Sequence, residues 1–122
     1  MAKKKILFID NRPEHLQQPV LRLQFAGYDV ETAGSGAEGL SRLRGDGFDV
    51  LILDSDLPNE DGWSVLRKVR GDPQLEGLKV IVFMAETGET GKLALVPVDA
   101  ELRRPFSLGT LLAAVKKVLG TK

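Results

Sequence analysis

Two short apolar runs in this chain stop at carboxylates, and those carboxylates are where chemistry is possible. Val50-Leu51-Ile52-Leu53 ends at Asp54, followed by Ser55, Asp56, Pro58 and Gly62. Ile6-Leu7-Phe8-Ile9 ends at Asp10-Asn11. Carboxylates brought together repel one another unless a cation or a proton lies between them. Only oxygen donors are on offer, which suits a hard ion such as Mg²⁺ held by one or two carboxylates and water. A carboxylate beside such an ion can act as a nucleophile toward a phosphoryl group, with a fixed Lys or Arg taking up part of the charge. Arg104, just before Pro105, is a candidate for that cation. Each piece also has a plainer alternative. Asp10 and Asn11 could cap a helix, Asp54 and Asp56 could form a turn, and Arg104 could be a surface residue. The combination is more specific than its parts.

The elements that must position these residues follow from the apolar pattern. Lys5 to Ile9 reads as a buried strand. Pro13 to Ala26 has helical spacing at Leu16, Val20, Leu23 and Ala26, closed by Gly27, and Pro19 predicts a kink or a helix formed only from about that residue. Tyr28 to Thr32 reads as a second strand. Ser35 and Glu38 have the form of a capping box for a helix with Leu40 and Leu43 on one face and Gly45 at its end. The third strand is Val50 to Asp54, and a helix with Trp63, Leu66 and Val69 on its apolar side ends before Pro73. Val80 to Met84 reads as a fourth strand and Ala100 to Arg103 as a fifth. Between them, Ala85 to Val98 leaves room only for a shortened or irregular fourth helix. Ser107 caps a last helix with Leu108, Leu111, Leu112, Val115 and Leu119 inward and Gly120 beyond its end.

Alternating strands and helices with continuous apolar strands predict a doubly wound α/β domain, a parallel sheet covered on both faces. At this length the flavodoxin-like order 2-1-3-4-5 is expected, which brings Asp10 and Asp54 together at the switch point between the first and third strands.

Composition sets the outer bounds. With 122 residues and 43% hydrophobic content, the chain is expected to form one domain over 1–122. Lys and Arg number 17 and Asp and Glu number 17, so nothing draws the chain toward nucleic acid or an anionic membrane. Cysteine is absent, which is compatible with a cytoplasmic setting. The first apolar run is too short for a signal peptide or a membrane span, and Lys3 to Lys5 read as a solvated lead-in.

From end to end the sequence resembles a response-regulator receiver domain of two-component signalling. The match is carried by Ile6-Leu7-Phe8-Ile9-Asp10-Asn11, by Leu51 through Gly62, and by Arg103-Arg104-Pro105-Phe106. The resemblance implies a CheY-like receiver fold and a signalling module rather than an enzyme. It implies Asp54 as the acceptor of a phosphoryl group from a sensor histidine kinase or phosphotransfer protein, and a downstream protein partner. It implies Mg²⁺ held by Asp10, Asp54 and the backbone carbonyl of Asp56, with Asn11 a further candidate, and Arg104 as the phosphoryl contact. Asn11 stands where the family carries a second acid, so weak Mg²⁺ binding is expected. Met84 replaces the Thr or Ser that ends the family's fourth strand, and Thr87 comes three residues too late. Glu101 replaces a mobile aromatic, and Arg104 replaces a lysine whose point charge a forked guanidinium does not reproduce. Asp56 and Glu86 occupy places that influence how long the phosphoryl group lasts.

Two readings follow. One is a receiver phosphorylated on Asp54. The other is a pseudo-receiver, a phosphorylation-independent protein-binding module, for which Leu93 to Val96 would suit a contact if exposed. The motif Asp54-Ser55-Asp56 also has the form of a haloacid-dehalogenase-like nucleophile, but it follows the third strand rather than the first, and Pro58 stands where Thr or Val belongs. With little sequence beyond Gly120, the chain reads as a stand-alone receiver or a piece of a longer protein.

Overall fold

In the computed structural model, every residue from Ile6 to Ile9 and from Val50 to Asp54 is buried, because helices cover both faces of the strands they form. The structure describes residues 3–10, 12, 16–57, 60–84, 98–103 and 106–120. In chain order come β1 (Lys5–Ile9), α1 (Gln17–Phe25), β2 (Asp29–Ala33), α2 (Gly36–Asp46) and β3 (Val50–Asp54). The short strands β4 (Asp56–Leu57) and β5 (Glu60–Asp61) follow, then α3 (Gly62–Arg70) and a 3₁₀ turn over Pro73–Leu75. β6 (Lys79–Met84), β7 (Ala100–Arg103) and α4 (Leu108–Leu119) complete the described elements.

The main sheet has five strands in the order β2-β1-β3-β6-β7, all pairs parallel. This is the expected 2-1-3-4-5 arrangement, since β4 and β5 pair only with each other, antiparallel. The period-2 alternation of the strands divides the core. Leu7, Ile9, Leu51, Leu53, Val80 and Val82 pack with Leu40 and Leu43 of α2 and Trp63, Leu66 and Val69 of α3. Ile6, Phe8, Val50, Ile52, Ile81 and Phe83 face the other way, onto Leu23 of α1 and Leu111 and Val115 of α4.

Several boundaries differ from those read in the sequence, each for a local reason. Pro19 is the third residue of α1, where the backbone N–H has no intrahelical partner, so the helix carries it without losing a hydrogen bond. Ala26 is an exposed cap rather than part of the apolar face. β2 begins at Asp29, one residue later than the apolar pattern suggested. α2 runs through Gly45 to Asp46, and the left-handed residue that ends it is Gly47 at φ 66°. Ser35 accepts from the Glu38 N–H as expected, but Glu38 Oε1 reaches back to the Gly34 N–H instead of that of Ser35. The β4–β5 pair was read only as turn residues. The proposed fourth helix and the Leu93 to Val96 patch lie outside the described residues.

Candidate functional site

The sheet register alone brings the two acids together. Ile9 pairs with Leu53, so the next residues along β1 and β3, Asp10 and Asp54, stand side by side at the C-terminal edge. Both backbones are held by the ladder: the Asp10 N–H donates to the Ala33 carbonyl at 3.1 Å, and Asp54 pairs with Phe83 of β6. Asp10 is 3% exposed and Asp54 fully buried, the only two buried charged residues among those described. Burying such carboxylates is costly unless each finds a partner of opposite charge.

Among the described residues Arg12 is such a partner, one not expected from the sequence. Its Nη2 donates to Asp54 Oδ2 at 3.1 Å, and its Nε lies 3.8 Å from Asp10 Oδ1. Its backbone N–H donates to the same Asp10 Oδ1 at 2.9 Å, a turn that starts the side chain toward the site. Nε is shielded from water and makes no hydrogen bond among the described residues, so its contribution there is charge alone. The Arg12 side chain is 34% exposed and spans both carboxylates from the solvent side. No helical or strand period marks this position. The available signal was a cation two residues after a strand whose neighbour also ends in an acid.

The floor of the site is tight. The Gly62 N–H donates to the Ser55 carbonyl at 3.3 Å, and Ser55 in turn donates to the Phe83 carbonyl at 3.1 Å. A Cβ on residue 62 would lie 2.6 Å from the Asp54 carbonyl oxygen, so any other residue at the start of α3 would force backbone to shift. Met84 ends β6, 1% exposed and packed in the core with Ile9 and Leu53. Glu101 is exposed on β7, in register with Val82 and, through it, with Leu53, two strands across the sheet from β3. The backbone of Asp56 opens β4 immediately after Ser55. Asn11 and Arg104 lie outside the described residues.

The donor set can be weighed against Mg²⁺. Oxygen ligands at about 2.0–2.1 Å in near-octahedral array are what that ion demands. Asp10 and Asp54 supply the right atoms, but the described residues hold no group of three or more potential acidic, His or Cys ligands. With the Arg12 guanidinium against Asp54 Oδ2 and beside Asp10 Oδ1, a divalent ion at these oxygens would meet a positive charge already in place, so the arrangement as it stands opposes the ion.

Comparison with known proteins agrees with the geometry. The model of the response regulator receiver domain family matches residues 6–116. The chain is 32% identical over 117 residues to response regulator MprA of Mycobacterium tuberculosis, covering 94% of this chain and 50% of that protein. It is 30% identical over 118 residues to transcriptional regulatory protein GltR of Pseudomonas aeruginosa, covering 95% of this chain and 49% of the other. The chain thus spans about half the length of the curated relatives it matches. Among solved structures, a receiver domain protein from Methanospirillum hungatei superposes with a TM-score of 0.88 at 27% identity, covering 98% of this chain and 95% of that one. Chemotaxis protein CheY4 of Vibrio cholerae gives 0.87 at 29% identity, covering 96% and 99%. With the doubly wound sheet and the paired acids at its switch point, these matches establish that the chain belongs to the response regulator receiver domain family.

Proposed function

We propose that this chain works as one receiver domain over 1–122 that accepts a phosphoryl group on Asp54 and signals through protein contacts. The observation that carries the reading is the placement of Asp54 at the end of the central strand, in register with Asp10. The donor is the phosphohistidine of a sensor kinase or phosphotransfer protein. An Asp54 carboxylate oxygen attacks phosphorus, the P–N bond breaks, and the imidazole leaves with the electron pair. Arg12, already hydrogen-bonded to Asp54 Oδ2, must shift for that oxygen to react. Mg²⁺ belongs to this reading as the ion of the family, held weakly by Asp10, Asp54 and the Asp56 carbonyl with Asn11 a further candidate, and Arg104 is the phosphoryl contact. The setting is cytoplasmic, and no helix among the described residues is long and apolar enough to cross a membrane.

A second reading has its own observation. The Arg12–Asp54 ion pair closes the carboxylate, which favours a phosphorylation-independent binding module. Intact-mass spectrometry after incubation with acetyl phosphate and Mg²⁺, beside an Asp54→Ala control, separates the two. The first reading expects a gain of one phosphoryl mass in the parent and none in the control. No gain across a wide Mg²⁺ range selects the second.

A further inference from the structure

We propose that Arg12 is the resident counter-ion of the Asp10–Asp54 pair and competes with divalent cations for it. The two carboxylates sit at adjacent strand ends with almost no contact with water, so a cation or a proton must accompany them. An arginine supplies one that stays protonated at any ordinary pH and is covalently present beside the site. Its seat is built from three contacts to two acids: Nη2 to Asp54 Oδ2, Nε near Asp10 Oδ1, and the backbone N–H to that same Oδ1.

The two cations oppose one another because both draw on the negative charge of the same carboxylates. A guanidinium nitrogen rests 3.1 Å from Asp54 Oδ2, whereas a divalent ion such as Mg²⁺ requires that oxygen at about 2.0–2.1 Å. Direct coordination by Asp54 Oδ2 and Asp10 Oδ1 therefore places a second positive charge against the guanidinium and favours its moving aside. Any intrinsic affinity of the acids for metal is reduced by the fraction of molecules in which Arg12 has moved out. The domain then holds its paired acids together without metal, and metal binding becomes an exchange of cations. This holds whether or not Asp54 is ever phosphorylated.

The test is a calorimetric titration of MgCl₂ alone into the parent, Arg12→Ala, Arg12→Gln and the double variant Arg12→Ala/Asp54→Ala, beside thermal melts with and without MgCl₂. Losing a hydrogen bond between charged groups should tighten Mg²⁺ binding in both single variants by about tenfold or more. The melting temperature of the variants should then rise with Mg²⁺ more steeply than that of the parent. The gain should vanish in the double variant. If Arg12→Ala folds only when Mg²⁺ is added, that too supports the exchange. Equal Mg²⁺ affinity in parent and single variants, or a gain that survives in the double variant, overturns the proposal.

Discussion

A Cβ atom on residue 62 would stand 2.6 Å from the carbonyl oxygen of Asp54 and 2.7 Å from the Cα of Ser55. What it meets is backbone, which cannot rotate aside as the end of a side chain can. Gly62→Ala should therefore displace the start of α3 or the end of β3, lowering stability by about 1–3 kcal/mol in urea unfolding. Phosphorylation by acetyl phosphate should fall with it, since the displaced strand end carries Asp54. An unchanged midpoint would mean that the helix start relaxes without cost.

Two residues of α1 make a matched contrast. Leu23 is fully buried against the sheet, while Phe25, two positions on, is 86% exposed. Leu23→Ala should cost about 2–5 kcal/mol through lost contacts and the cavity left behind. Phe25→Ser should stay within about 0.5 kcal/mol of the parent. Denaturant midpoints measured side by side decide whether α1 is oriented as described.

Asp99 ties the start of β6 to the approach to β7. Its Oδ2 accepts from the Val80 N–H at 2.7 Å and from Arg70 Nη2 at 2.9 Å. Asp99→Ala leaves the N–H of a fully buried residue without that acceptor, so a loss of about 1–3 kcal/mol is expected. Arg70→Ala breaks the ion pair and the 2.9 Å bond from Arg70 Nη1 to the Leu78 carbonyl but keeps the Val80 bond, whose donor is the more deeply buried. The loss should be smaller, and a larger loss than that of Asp99→Ala would contradict this account.

Removing Arg12 without metal leaves two acids at one place with their guanidinium gone. A third of the Arg12 side chain is exposed, so the full penalty of a buried pair is discounted. Arg12→Ala should cost about 1–3 kcal/mol, and adding Asp10→Asn should recover part of it. Strict additivity of the two changes in a double-mutant cycle would show that the residues do not interact.

The fold was legible because apolar strands and turn residues agree along most of the chain. β3 and β7 begin and end where the pattern placed them, and Ser107 and Gly120 bound the last helix as read. The misjudged points are those where a residue type has two uses. Gly45 sits inside a helix, two positions before the glycine that ends it. Pro19 left a kink or a late start open, and the described helix does begin close to it, at Gln17, with Pro19 in the first turn. Asp10 and Asp54 could be paired from topology alone, because parallel strands in known order put their ends together. Arg12 could not. Its partner Asp54 lies 42 residues away, and the contact depends on a turn set by a hydrogen bond from its own backbone. Arg104, the fixed cation expected from the sequence at the far strand, lies outside the described residues.

The in-register pairing of β1 with β3 has a consequence for motion. Each strand lies between two others, and each is covered on both faces. The spacing of the two acids is thus set by the ladder and not by loops, and fluctuations of the connecting segments leave it largely unchanged. To part Asp10 from Asp54 the chain must open its two most enclosed strands, which amounts to unfolding. Amide hydrogens of Leu7 and Ile52 should then exchange with deuterium at a rate governed by global stability. A substitution anywhere that weakens the fold would loosen the carboxylate pair by the same amount.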